Sequence, residues 1–254
     1  MAKQVNRAPD YGNWALKRFI YIFGILGIVL LALTFLVWVF VIPALLCLAV
    51  AAYFAYVRYL FSPKGGNVQN QIRDMVIFHL DWNGEGKVLD IGCGNGALTI
   101  KLARKFSTAQ VTGIDYWGKR WEYSKNTCEA NAKIEGVSDR VVFEKASASK
   151  LPFESGYFDA AVSNLAFHEV VDAKDKREVI REALRVVKKG GSFAFQDLFL
   201  RKQVYGDVNE LVATIKSWEI ARVEFVETRN ASFIPAALKL PFIVTEIGII
   251  KGEK

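Results

Sequence analysis

The chain has 254 residues, enough for one domain of ordinary size and an additional element. Hydrophobic residues make up 52% of it and the formal net charge is +7, but the charge is not spread as a nucleic-acid-binding stripe would be. Lys3, Arg7, Lys17, Arg18, Arg58 and Lys64, set against Asp10, hold five of the seven net positive charges. This excess flanks an apolar run, where it suits a surface of anionic lipid, and no nucleic-acid partner is expected.

Residues 1–18 read as a short polar leader. Phe19–Phe61 follows with one charged residue, Arg58. As a single helix this run would be about 65 Å long, roughly twice the ~30 Å core of a bilayer. Two transmembrane passes, 19–40 and 43–61, fit better, with the tip near Trp38–Pro43, because Pro43 disfavours helix at Ile42. A buried soluble hairpin and a single tilted span are the alternatives. The cations at both ends place both ends on the cytoplasmic side, so the expected location is a membrane, with the domain that follows facing the cytoplasm. Ser62–Gly66 is a linker, and a second domain is expected over 67–254. Cys47, Cys93 and Cys128 have neither metal-ligand nor redox spacing, and no metal is implied.

Val68–Leu80 has the period of a helix. Lys87–Ile91 then reads as a buried strand, Gly92, Gly94 and Gly96 as a tight turn, and Ala97–Ala103 as a helix. Strand, glycine turn and helix together make the crevice of an open α/β sheet. Gly92, Gly94 and Ala97 also satisfy G-x-G-x-x-A, which would suit a dinucleotide and an NAD(P)-dependent oxidoreductase. Asp90 argues against it, because a carboxylate at the mouth of the crevice repels a pyrophosphate and attracts a cationic ligand.

Strands and helices alternate from there, as in a doubly wound sheet. Strands are expected at Gln110–Ile114, Val141–Lys145, Phe158–Ser163, Ser192–Leu198, Ile220–Glu227 and Phe242–Lys251. Helices are expected at Gly118–Glu135, Asp172–Lys188 and Leu211–Trp218. Asp115 ends the second strand, either meeting a ribose diol or standing as a loop aspartate. Tyr116 or Trp117 would pack on an adenine or plug the core. His168 and Glu169 form an adjacent titratable pair after the fourth strand, and Asp197 stands near the end of the fifth. His168 and Asp197 are candidates for a catalytic role near an acceptor, against a packing role for the histidine.

V-L-D-I-G-C-G-N-G, Lys150-Leu151-Pro152-Phe153 and the Phe158–Asn164 strand resemble the motifs of class I methyltransferases that use S-adenosylmethionine. The resemblance covers about residues 67–254. It implies a Rossmann-like sheet of seven strands, order 3-2-1-4-5-7-6, with the last strand antiparallel and helices on both faces. It implies that Asp90, Gly92, Cys93, Gly94, Gly96, Asp115, Tyr116, Ser147, Ala148 and Asn164 hold S-adenosylmethionine. Ser147 departs from the family's usual aspartate, which weakens the expected acceptor for the adenine amine. The function implied is a membrane-anchored methyltransferase acting on an apolar small-molecule or lipid acceptor. A non-catalytic module that binds the cofactor is the remaining alternative. Ala231–Pro241, apolar for a loop, would close over the acceptor or dip into headgroups, or else pack on the domain's own core.

Overall fold

Residues 8–118, 123–240 and 243–254 are described by the structure, a computed structural model. The chain divides into a helical unit, Asn13–Ile72, and a larger unit in which Arg73–Lys254 is joined by the segment ending at Gly12.

The helical unit is an antiparallel hairpin of α1 (Lys17–Leu33) and α2 (Val41–Phe61), with a 3-10 turn at Trp38–Phe40. The chain reverses around Thr34–Val37, ahead of the expected tip. Pro43 lies inside the first turn of α2, so Ile42 is helical after all. At that position a backbone N–H has no partner within the helix, and proline removes nothing that was satisfied. Gly27 lets the two helices close up, since a Cβ there would stand 2.8 Å from Leu48 Cδ2. Phe54 stacks on Phe19 with ring centroids 5.1 Å apart. The opposite faces are apolar and exposed at Ile22, Ile25, Ile28, Ile42, Leu45 and Leu46. Arg58, the one charge of the run, donates from Nη1 to the Ala15 carbonyl at 2.6 Å. Among the described residues one helical segment, Trp38–Phe61, is long and apolar enough to cross a membrane, while α1 has 17 residues. Turns at Ser62–Gly66 lead into α3 (Val68–His79).

The larger unit is built on seven strands: β1 (Lys87–Ile91), β2 (Gln110–Asp115), β3 (Val141–Lys145), β4 (Phe158–Asn164), β5 (Val187–Asp197), β6 (Arg222–Glu227) and β7 (Gly248–Glu253). Their order is β3-β2-β1-β4-β5-β7-β6, as expected. The first five are parallel, and β7 runs antiparallel to both β5 and β6. The helices are α4 (Ala97–Lys105), α5 (Lys125–Ile134), α6 (Lys176–Arg185), α7 (Lys202–Tyr205) and α8 (Val208–Lys216). One face of the sheet packs Leu89, Ile91, Ala161, Phe193 and Phe195 against Val179, Ile180 and Leu211. The other packs Val88, Val111, Val162 and Ala194 against Val76, Leu80, Leu98 and Leu102. Both faces are covered, which is why the central strands are nearly continuous apolar runs.

Several boundaries differ from the sequence reading, and the larger differences have local reasons. The helix expected over Gly118–Glu135 begins at Lys125, because Ser124 caps it by accepting from Thr127 N–H; Lys119–Glu122 of that expectation lie outside the described residues. The helix expected over Asp172–Lys188 starts after the cap Asp175 and stops at Arg185. Val187 is already paired with Phe158, and Lys188–Gly191 bulges before Ser192 pairs with Ala160, so Lys-Lys-Gly-Gly lies within β5 rather than closing a helix. The last strand begins at Gly248, not Phe242, because residues 243–246 are taken up by turns; Phe242 itself lies outside the described residues.

The apolar segment between β6 and β7 lies at the carboxyl end of β5, since Gly248 pairs with Asp197. Ile234 and Leu238 are buried, so the core takes these two side chains. Leu240 and Lys239 are exposed and Phe233 is half-buried, while Pro241 lies outside the described residues.

Candidate cofactor and acceptor site

β1 delivers its carboxyl end into a turn that depends on glycine. Gly92 has φ +77°, and a Cβ there would lie 2.1 Å from Ala166 Cβ. The N–H groups of Gly92 and Cys93 donate to Ile114 O at 2.8 and 2.9 Å, locking the turn to β2. Gly94 O accepts from Trp117 Nε1 at 2.8 Å and from Cys128 Sγ at 3.1 Å. Gly96, with φ +79°, begins α4. Cys93 and Cys128 are buried free thiols, and burial raises the pKa of Cys93.

Asp90 is 1% exposed. Its Oδ2 accepts from Thr99 Oγ1 at 2.6 Å, and its Oδ1 is buried with no partner among the described residues. Burial pushes the carboxyl up to about 7, against the pull of the Thr99 hydrogen bond. Asp115 ends β2 with Oδ2 accepting from Gly94 N–H at 2.9 Å and Oδ1 from Trp117 N–H at 2.7 Å. Burial raises its pKa while those hydrogen bonds lower it. Each oxygen keeps a lone pair, and the residue is half-buried, so a diol has access to it. Tyr116 is 63% exposed, which removes the core-plug reading for it. Trp117 takes that place, packed on the core below the turn.

Ser147 Oγ bonds Asp172 Oδ2 at 2.8 Å, and Ser149 Oγ donates to the same oxygen at 2.6 Å. A carboxylate absent from position 147 is therefore present beside it, brought from the segment before α6. Ala148 is half-buried next to Ser147. Asn164 ends β4 with Oδ1 buried and no partner among the described residues.

His168 and Asp197 meet. His168 Nδ1 lies 2.6 Å from Asp197 Oδ1, and Nε2 lies 3.4 Å from Glu169 Oε1. Asp197 Oδ2 also accepts from Phe167 N–H at 2.8 Å. Burial alone would lower the histidine pKa, but Asp197 and then Glu169 prevail and raise it to about 9. The ring is an imidazolium at neutral pH. Tyr205 is buried beside the pair, and burial together with the Asp197 charge pushes its phenol well above the usual range.

Several residues at the site escaped the sequence reading. Thr99 is the partner of Asp90, and Arg73, 7% exposed on α3, faces the same carboxylate. Gln196 is buried on β5 with neither amide atom partnered among the described residues. Polar residues inside otherwise apolar faces were the available signal for Arg73 and Gln196. The leader also reaches this region: Asn131 Nδ2 donates to Asp10 O at 2.8 Å, and Asn131 Oδ1 accepts from Asp10 N–H at 2.9 Å. Lys3 and Arg7 lie outside the described residues.

A Rossmann-like α/β sheet with this strand order, a glycine turn and a carboxylate ending the next strand defines a nucleotide-cofactor crevice. Residues 89–195 match the family model described as a methyltransferase domain. A geranyl diphosphate methyltransferase solved in complex with S-adenosylmethionine superposes with a TM-score of 0.55 at 16% identity, covering 74% of this chain and 86% of that one. The 27-O-demethylrifamycin SV methyltransferase of Amycolatopsis mediterranei is 38% identical over 114 residues, 45% of this chain and 39% of that protein. Cycloartenol-C-24-methyltransferase 1 of Oryza sativa is 37% identical over 108 residues, 42% of this chain and 29% of that protein. The chain thus spans less than half the length of these relatives. In fold, the geranyl diphosphate C-methyltransferase from Streptomyces coelicolor superposes with a TM-score of 0.57 at 15% identity, covering 74% of this chain and 79% of that one.

Proposed function

We propose that this protein transfers a methyl group from S-adenosylmethionine to an apolar small-molecule or lipid acceptor while its helical hairpin anchors it in a bilayer. The observation that carries the cofactor reading is Asp90 Oδ1, a buried oxygen without a partner among the described residues, at the end of β1 above the Gly92–Gly96 turn. A dinucleotide pyrophosphate would be repelled there, whereas a ligand with cationic groups completes the carboxylate.

In this reading Gly92, Cys93, Gly94 and Gly96 shape the floor of the crevice, and Asp115 accepts from the ribose hydroxyls. Ser147, the Ala148 amide and Tyr116 border the adenine, with Asp172 replacing the family's carboxylate through Ser147. Asn164 meets the methionine portion. The bound cofactor supplies a methyl group already activated by positive sulfur. The chain's own task is then alignment. His168 and Asp197 face the acceptor: below about pH 9 the imidazolium donates a hydrogen bond, and above it His168 accepts the acceptor's proton.

For the hairpin, the reading is two passes with residues 1–18 and 67–254 in the cytoplasm and 62–66 as the linker. The outward apolar faces of α1 and α2 support it, as do Lys17 and Arg18 before α1 and Lys64 after α2. The relatives' names, a rifamycin-type and a cycloartenol methyltransferase, support a small-molecule acceptor. The test is calorimetry with S-adenosylmethionine on the full chain, paired with a labelled-methyl assay on membrane extract. Asp115→Ala should weaken binding about ten- to a hundredfold, the loss of a charged hydrogen-bond acceptor. Tight NADH binding with none of the methyl donor overturns the reading, and donor binding without labelled product in any extract leaves a binding module instead.

A further inference from the structure

The leader is seated on the glycine turn itself. Asn131 is 2% exposed on α5, and Asn95 is 4% exposed inside the turn. Asn131 holds Asp10 by both main-chain groups, accepting from its N–H at 2.9 Å and donating to its carbonyl at 2.8 Å. The same amide nitrogen donates to Asn95 O at 2.9 Å, and Asn95 Nδ2 donates to Asp10 O at 3.2 Å. Asn95 Oδ1 accepts from Ser124 N–H at 3.1 Å. Two buried side-chain amides are thus satisfied through the backbone of the leader, and lifting it away strips them of those bonds.

Tyr11 and Gly12 extend the contact. Tyr11 packs on the same core as Cys93 and Trp117, and its hydroxyl donates to Glu135 Oε1 at 3.1 Å. Burial, together with the Glu135 charge, pushes that phenol well above the usual range, so it stays a donor. Gly12 has φ +68°, and a Cβ there would lie 2.7 Å from Tyr123 Cε1. A Cβ on Gly94 would lie 3.4 Å from Tyr123 Cδ2. The Tyr123 ring therefore fills the space between the leader and the turn. Gly94 N–H in turn donates to Asp115 Oδ2. Leader, Tyr123, Gly94 and Asp115 form one continuous chain of contacts.

We propose that residues 10–12 are a clasp on the Gly94–Gly96 turn. The clasp holds the turn in the shape that binds the methyl donor, and the bound donor holds the clasp shut. Asn131 and Gly12 are then positioning residues, acting on the donor through the turn. This rests on the methyl-donor reading above. The coupling is reciprocal: the factor that the clasp adds to donor affinity is the factor that the donor adds to closure of the clasp.

The test is hydrogen exchange at the Asp10 N–H of the full chain in detergent, with and without saturating S-adenosylmethionine, paired with calorimetry. Exchange at that position requires its bond to Asn131 to open. The donor should slow it by about fivefold or more, the low end of coupling between linked sites. The amides of α8, on the opposite face of the sheet, should not change. Gly12→Ala sets a methyl group against Tyr123, and it should speed Asp10 exchange and weaken donor binding by about fivefold as well. Gly136→Ala is the control. Gly136 shares φ +68° and a Cβ there meets nothing within 4 Å, so this variant carries backbone strain alone and should bind the donor as the wild type does.

Asp10 exchange that ignores the donor makes the leader a mere tether and overturns the proposal. Equal slowing in α8 marks general stabilisation and overturns it too. So does a Gly12→Ala protein that exchanges faster at Asp10 yet binds the donor as tightly, or a Gly136→Ala protein that loses the same affinity. A wild type that does not bind S-adenosylmethionine overturns the methyl-donor reading itself, and the proposal with it.

Discussion

Asp90 and Asp197 are buried at the carboxyl ends of central strands, 1% and 0% exposed, in opposite surroundings. Asp197 gathers donors from its own chain. Phe167 N–H and His168 N–H reach Oδ2 at 2.8 and 3.3 Å, and Leu198 N–H and His168 Nδ1 lie 2.6 Å from Oδ1. Asp90 has Thr99 on one oxygen and no partner among the described residues on the other. A carboxylate that is fully bonded by the chain holds the chain together. One that is half-bonded at the mouth of a crevice is finished by a ligand. In the proposed reading the acceptor side is therefore preorganised by the protein alone, whereas the cofactor side carries a cost until it is filled.

The largest expected effect follows from removing these two groups. Asp197→Ala strands four donors and should lower unfolding stability by about 3–5 kcal/mol. Asp90→Asn should do the opposite in cofactor-free protein at pH 8. The folded state holds the Asp90 proton up to about 7 against an ordinary value of 3.8. Ionising it costs stability, progressively, as pH rises between those values, and asparagine is spared that loss. Denaturant unfolding of the full chain at pH 8 measures both. An Asp197 variant as stable as the wild type, or an Asp90 variant that unfolds more readily, breaks the contrast.

A second, smaller effect concerns pH on the Asp197 side. His168 has a folded pKa of about 9, above its ordinary 6.5. Its contribution is present in full below about pH 6.5 and is lost as pH rises through 9. His168→Gln should be less stable than the wild type at pH 6, and the gap should close by pH 10. A gap that is constant with pH would mean the imidazole acts by packing alone.

The strands and the glycine turn were legible in the sequence because each strand is a short apolar run with a turn signal at its end, whereas the strand order came only from the resemblance to the methyltransferase family. Asp115 and Asp197 were legible for the same reason, standing at or near the ends of such runs. The hairpin tip was misplaced because Pro43 was read as a breaker, although proline in a first helical turn breaks nothing. The helix expected over Asp172–Lys188 ran too far, because pairing of Val187 with Phe158 outranks the local helical pattern and draws Lys188 into β5. The approach of Asp172 to Ser147, and of Arg73 to Asp90, joins residues far apart in the chain, and no local pattern encodes it.

Gln196 gives the finest test, because it adjoins both regions: its neighbour Asp197 is saturated, and its own amide is not. Its Nε2 and Oε1 are buried on the face shared with Asp90 and Asn164, without partners among the described residues. If it belongs with Asp90, the amide is costly in empty protein and useful when the crevice is filled. Gln196→Leu then replaces an unsatisfied polar group by an apolar one of similar size, which should raise the stability of cofactor-free protein by about 1 kcal/mol. The same change should shrink the extra stability conferred by saturating S-adenosylmethionine, because a bound ligand loses one partner. Thermal unfolding with and without the cofactor reads both. If Gln196→Leu destabilises the cofactor-free protein and leaves the cofactor's increment intact, the amide is served within the fold. It then belongs with Asp197, and the ligand chamber ends at Asn164.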